Sequence, residues 1–130
     1  MTVRGKVTMA ANRNKRTPGV PEGAFLVFNQ VVYPITQPVT HIGRKAENDM
    51  VIQEVSVSRF HAQIRVENGN FVLHDLNSHN GTIVNNTRVK QLRLKPGMLI
   101  YFGEVMVVFV QENRQVTESL DMDTGELSGK

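Results

Sequence analysis

The chain of 130 residues is the size of one domain, and 40% hydrophobic with 21% charged side chains is the balance of a packed globular protein. It contains no cysteine, which excludes a disulfide framework, thiolate catalysis and cysteine-ligated zinc. The net charge of +3 conceals a gradient: residues 1–24 hold five Lys/Arg against one acid, whereas residues 111–130 hold two against five. No apolar run approaches the roughly 20 residues that span a bilayer. The start, with Arg4 and Lys6 among polar residues, lacks the apolar stretch of a signal peptide. These features place the expectation on a soluble, cytoplasmic protein.

Residues 1–23 are polar and basic and close on Pro18, Gly19, Pro21 and Gly23, a linker composition expected to form a flexible tail. From Ala24 onward short runs of β-branched and aromatic residues alternate with turn residues. The runs are Ala24 to Phe28, Val31 to Ile35 and Val39 to Ile42. His61 to Val66 alternates cleanly, with Ala62, Ile64 and Val66 on one face and Gln63 and Arg65 on the other. Asn68-Gly69-Asn70 is a hairpin signal, and Phe71 to Asp75 is the returning strand. Thr82 to Val84 is short and meets Asn85-Asn86, a turn pair because Asn tolerates the left-handed region. Val89 to Leu94, Met98 to Phe102 and Val105 to Val110 follow, the last two joined by Gly103-Glu104. Residues 111–130 lack an apolar cluster and are expected to form a flexible acidic tail. No segment carries a helical period with caps. The pattern predicts an all-β sandwich or barrel over residues 24–110, with apolar side chains inside and function on loops at one end.

Three loop segments carry the polar chemistry: Gly43-Arg44, Ser58-Arg59-Phe60-His61 and Asn80-Gly81-Thr82. With the strands between them they resemble the forkhead-associated (FHA) domain, from about Ala24 to Val110. The resemblance rests on Ile42-Gly43-Arg44, Val57 to Ala62, Asp75 to Thr82 and Val84-Asn85-Asn86 in that order. It implies a sandwich of about 11 strands in two sheets that reads phosphothreonine through its loops. The implied partner is a phosphothreonine-containing protein, a Ser/Thr kinase or its substrate.

The residue types suit that task. A phosphothreonine carries about −1.5 to −2 charges and three acceptor oxygens. Arg44 offers a planar fork of donors for two of them. Ser58 offers one hydroxyl, and Arg59 adds charge beside it at a position that varies in the family. The resemblance implies that Asn80 pairs with the backbone of an extended peptide. It makes His61 a structural residue that braces the loops from within, with Gly43, Gly81 and Thr82 in supporting roles. His79 stands where the family often has Ser or Thr, so its imidazole, or the hydroxyl of Ser78 shifted inward, is expected to take that place. Asn86 stands where Gly is common, a change the turn tolerates. A slot near Asn80 and Gly81 for the threonine methyl is implied. The position three after the phosphothreonine is expected to be read by residues 45–49 and 54–56.

Other classes fare worse. Ser58, His61 and Asp75 make a hydrolytic triad only on paper, because Ser58 has no Gly-x-Ser-x-Gly elbow. His41, His61, His74 and His79 lack metal-site spacing, and neither a metal nor a cofactor is expected. The basic tail is a weak candidate for nucleic acid, but the six Phe fall at core positions and leave no stacking platform. A phosphate-independent interaction domain is the other alternative. Thr8, Thr17, Thr117 and Thr124 lie in the expected tails. One of them, Thr117 first, is a candidate for self-binding once phosphorylated.

Overall fold

The computed structural model describes residues 16–112 as β-strands and turns with no helix, so no described helix is long and apolar enough to cross a membrane. The first strands are β1 (Ala24–Phe28), β2 (Val31–Pro34), β3 (Val39–Gly43) and β4 (Met50–Val51). Next come β5 (Ala62–Glu67), β6 (Asn70–Asp75), β7 (Thr82–Val84) and β8 (Thr87–Arg88). The last are β9 (Gln91–Arg93), β10 (Leu99–Phe102) and β11 (Val105–Gln111). They form a six-stranded sheet, β2-β1-β11-β10-β7-β8, and a five-stranded sheet, β4-β3-β5-β6-β9. The expected all-β sandwich of eleven strands in two sheets is the observed fold.

The structure corrects one sequence reading and adds one strand. The run Val89 to Leu94 is not one strand. Thr87–Arg88 pairs with β7 in one sheet, while Gln91–Arg93 pairs with β6 in the other. Between them the chain crosses from sheet to sheet, and Val89 N–H donates to Thr82 O at 2.8 Å on the way. The added strand, Met50–Val51, makes a two-residue parallel pairing with β3. Two residues show no period, so a strand of this length has no signal in the chain.

The turns behave as their residues dictate. Asn68 and Gly69 both have positive φ (53° and 77°), as do Asn85 and Asn86 (54° and 62°). These are the signs of a type I′ hairpin turn, which matches strand twist. Asn29 and Gln30 (53° and 67°) make a third that composition did not reveal.

The core lies between the sheets. Leu26, Ile100, Phe102, Val107 and Phe109 meet Ile42, Ala62, Ile64, Phe71 and Leu73. The Phe71 and Phe109 rings pack at 5.6 Å. Each large side chain removed from water contributes about 2 kcal/mol. The packed body begins before Ala24. Val20 is only 2% exposed, Thr17 N–H donates to Thr36 O at 2.9 Å and Thr17 Oγ1 to Gln37 Oε1 at 2.9 Å. Thr17 is therefore part of the sandwich. Thr8, Thr117, Thr124 and the rest of 1–15 and 113–130 lie outside the described residues.

The outer faces of the two sheets differ. Cross-strand register on the six-stranded sheet aligns Ile83, Tyr101 and Met106 in one row. A second row holds Leu99, Val108, Val27 and Val32, and a third Val110, Phe25 and Pro34. On the five-stranded sheet the matching row is His41, Gln63, His74 and Gln91.

Candidate functional site

β3 ends at Gly43, and β5 and β7 begin beyond Ser58–His61 and Ser78–Gly81, so all three loop segments meet at one end of the sandwich. Backbone bonds join the first two. Arg44 N–H donates to Ser58 O at 3.0 Å, Lys45 N–H to Arg59 O at 3.2 Å, and His61 N–H to Ile42 O at 2.9 Å. Gly43 permits this approach, because a Cβ there would lie 2.3 Å from Arg59 O. Asn48, buried in the loop that follows, donates through Nδ2 to Lys45 O (2.9 Å) and Arg59 O (2.8 Å).

The third segment is tied to the second through Ser58 and His61. His79 N–H donates to Ser58 Oγ at 2.9 Å. Asn80 Nδ2 donates to Ser56 O at 2.9 Å, and Ser56 Oγ accepts from Glu104 N–H at 3.0 Å. His61 is fully buried and spans the gap. Its Nδ1 accepts from Ser58 N–H at 3.0 Å, so the proton sits on Nε2, which donates to Gly81 O at 3.0 Å. Its ring also packs edge-on against Phe102, with centroids 5.6 Å apart. Burial pushes its pKa down. Arg88 adds to that effect, while the Gly81 bond and the Asp75 charge oppose it.

Asp75 is the acceptor at the base of the third segment. Its carboxylate takes Ser78 N–H (3.0 Å), Ser78 Oγ–H (2.6 Å) and Thr82 Oγ1–H (2.7 Å). Burial works to raise its pKa, but these three bonds and the charge of His61 hold it below the ordinary carboxylate value. Ser78 Oγ in turn accepts from Gly81 N–H at 3.0 Å. Gly81 has φ +92°, a conformation that side-chain-bearing residues rarely adopt. Arg88 reaches back over it to donate to Ser78 O at 2.9 Å.

This corrects the expectation that Ser78 moves in as a phosphate donor: it is buried, with its hydroxyl held between Asp75 and Gly81. Ser58, His61 and Asp75 do not form a relay either. The imidazole faces the Ser58 backbone, and the carboxylate is occupied by Ser78 and Thr82.

What remains exposed is a basic concavity lined by Arg44, Ser58, Arg59, Phe60, Asn77 and His79. Arg44 is anchored at one point, Nε to Val57 O at 2.9 Å, which turns its guanidinium edge into a fixed donor pair. Among the described residues neither Arg44 nor Arg59 joins an ion pair. Ser58 Oγ accepts from His79, which leaves its own O–H to donate. Asn80 has committed one N–H of its amide to Ser56 O and keeps the second N–H as a donor and Oδ1 as an acceptor. Asn48 and Ser56 fall within residues 45–49 and 54–56, expected to read the peptide, yet their bonds here brace the loops; that role, like that of Arg88, had no signal in the sequence, because each acts through a contact with a segment remote along the chain. Among the described residues no three His, Asp or Glu side chains gather as a metal site.

Comparison with known proteins gives a consistent result. The model of the FHA domain matches residues 40–103. The chain is 38% identical over 98 residues to the glycogen accumulation regulator GarA of Mycolicibacterium smegmatis, a match that takes in 71% of this chain. It spans only 62% of that relative's length. A structure from an analysis of phosphothreonine-dependent FHA domain interactions superposes with TM-score 0.66 at 29% identity, over 69% of this chain and 97% of that one. The FhaA FHA domain, solved in complex with the intracellular domain of Rv3910, superposes with TM-score 0.64 at 30% identity, over 67% of this chain and 99% of its own.

Proposed function

This chain belongs to the FHA domain family, and from that premise we propose that it binds a phosphothreonine-containing segment of a partner protein without transforming it. The observation that carries the reading is the Arg44 guanidinium. It is pinned at Nε, unpaired with any described carboxylate, and set beside the free hydroxyl donor of Ser58 in one concavity. A dianionic phosphate supplies the acceptors that these donors lack, and charge-assisted bonds of this kind are about twice as strong as neutral ones. Arg59 adds long-range attraction. His79 offers a ring nitrogen at the same rim. Asn80 Oδ1 accepts a peptide N–H and sets the register of the bound strand. His61, Gly43, Gly81 and Thr82 hold these loops in place.

The partner in this reading is a Ser/Thr kinase or its substrate, met in the cytoplasm, a location that the cysteine-free composition fits. Self-binding through a phosphorylated tail belongs to the same proposal. Both described ends of the chain leave at the end of the sandwich opposite the site, where Glu112 N–H meets Gly23 O. A tail phosphothreonine must therefore cross the length of the sandwich to fill its own site. β11 alone is about 23 Å long and the 18 residues after Glu112 reach at most about 60 Å, so the crossing is within range. Mass spectrometry of the protein from cells, finding Thr8, Thr117 and Thr124 unmodified, would remove self-binding.

The direct test is titration with a phosphothreonine peptide library beside its unphosphorylated twin. Phosphate-dependent binding lost in Arg44→Ala, with circular dichroism unchanged, supports the reading. Equal binding of both libraries would overturn it.

A further inference from the structure

We propose that Phe60 is a specificity-determining residue: its ring, on the wall of the phosphate concavity, takes an apolar side chain of the partner segment two positions from the phosphothreonine. The inference rests on the phosphothreonine reading and adds to it which flanking residue is chosen. The expectation that all six Phe fall at core positions is corrected at Phe60, which is 49% exposed and, among the described residues, outside the core cluster. Its backbone neighbours are all held. Ser58 N–H donates to His61 Nδ1, and Arg59 O accepts from Lys45 N–H and from Asn48 Nδ2. The fully buried His61 donates its own N–H to Ile42 O. The ring is therefore presented from a fixed backbone, and little ordering remains for binding to impose.

A single exposed apolar side chain is ordinary on a surface. This one is set apart by its place, in the same concavity as Arg44 and Ser58. That space is about 640 Å³, within the range of pockets that take a whole small molecule, and a phosphate group fills only a fraction of it. If round it is about 11 Å across, whereas same-face side chains of an extended strand stand roughly 6.8 Å apart. A strand that sends its phosphothreonine into the concavity therefore sends the residue two positions away toward the same space, and the one between away from it. Charge decides what that residue is. Arg44 and Arg59 bring one positive charge each, which a phosphothreonine of about −1.5 to −2 nearly cancels. A cation there would oppose the guanidinium groups, and a further carboxylate would oppose the phosphate. The wall that remains is Phe60 and Asn77. Asn77 Oδ1 accepts from Lys90 Nζ at 3.3 Å, which leaves its amide N–H groups to hold a carbonyl of the strand. One ring is no platform for successive bases, so the site does not suit a nucleic acid.

The full chain is tested with a phosphothreonine peptide library varied at the flanking positions, beside its unphosphorylated twin. The wild type is expected to select Leu, Ile, Met or Phe two positions from the phosphothreonine. With Phe60 49% exposed, about 100 Å² of a ring surface of roughly 200 Å² is bare, and covering half of that is worth near tenfold in affinity at about 25 cal/mol per Å². Replacing the selected peptide residue by Ser should therefore weaken binding to the wild type about tenfold, and to Phe60→Ser by less than about twofold, a coupling that reports contact rather than folding. Phe60→Leu keeps an apolar side chain and should retain most of the selection. Phosphate-dependent binding with no apolar preference at that position, or a preference that Phe60→Ser leaves unchanged, overturns the subsite while the phosphothreonine reading stands. Equal binding of the phosphorylated and unphosphorylated libraries overturns both.

Discussion

The loops at the functional end contain two populations of polar side chain that differ in burial and in partners. Arg44, Arg59, His79 and Asn80 form an exposed rim with donors or acceptors left over. Beneath them His61, Asp75, Ser78, Thr82 and Asn48 are buried or half-buried and bonded to one another and to the loop backbones. Neighbours in sequence fall on opposite sides of this division: Ser78 is buried while His79 is exposed. A buried polar group without a partner costs about 1–3 kcal/mol, so the lower layer has to be closed. The rim is solvated when empty and can keep unused capacity for a ligand. Substitutions in the two layers should therefore report in different experiments.

The largest expected effect is on folding. Asp75→Ala removes the acceptor of three bonds and strands the Ser78 and Thr82 hydroxyls, at a cost of about 2–4 kcal/mol. Urea denaturation should show a lower midpoint with an unchanged slope, and an unshifted midpoint would break the division between layers. Arg44→Ala should do the reverse. Loss of a charge-assisted donor pair should weaken phosphopeptide binding about 100-fold, roughly 3 kcal/mol, as calorimetry would record. Its unfolding free energy should stay within about 0.5 kcal/mol of wild type, as for an exposed side chain.

Acid should act on the lower layer. His61 has a folded pKa below its unfolded value of about 6.5, so the contribution of its neutral form is complete above that pH. It is lost as pH falls through the folded value. Asp75 is likewise depressed, and its contribution is present above about pH 3.9 and lost below. Urea midpoints should fall from pH 7.5 to pH 5, and more shallowly in His61→Gln. A parallel slope in that variant would remove His61 as the cause. The smallest effect concerns the rim. Replacing phosphothreonine by phosphoserine in a bound peptide deletes one methyl from the slot that the family resemblance implies beside Asn80 and Gly81. A loss of about 0.8 kcal/mol, near fourfold in Kd, is expected. Equal affinities would mean that no such slot exists.

Much of this was legible along the chain. Alternation in Ala62 to Val66 is a local property, and so is the positive φ at Asn68-Gly69 and Asn85-Asn86. The clusters around Arg44, Ser58 and Asn80 stood out because polar residues interrupt apolar runs between strands. The continuous apolar runs Phe25 to Phe28 and Val105 to Val110 were read only as strands. That both faces of one sheet are apolar emerged from the register that aligns them. The bracing roles of Asn48, Ser56 and Arg88 were not seen, because an isolated polar residue in a loop looks the same whether it braces a neighbour or faces water.

The chain alone therefore settles where the longer strands lie, which Asn and Gly pairs turn and which loops carry charge, since side-chain alternation and backbone sterics act over a few residues. The sheet switch at Val89–Lys90, the Met50–Val51 pairing and the split between rim and brace were decided by the tertiary structure. Each depends on groups far apart in sequence. A hydroxyl such as that of Ser78 becomes a brace or a ligand donor only when burial removes water and a particular carboxylate stands within reach.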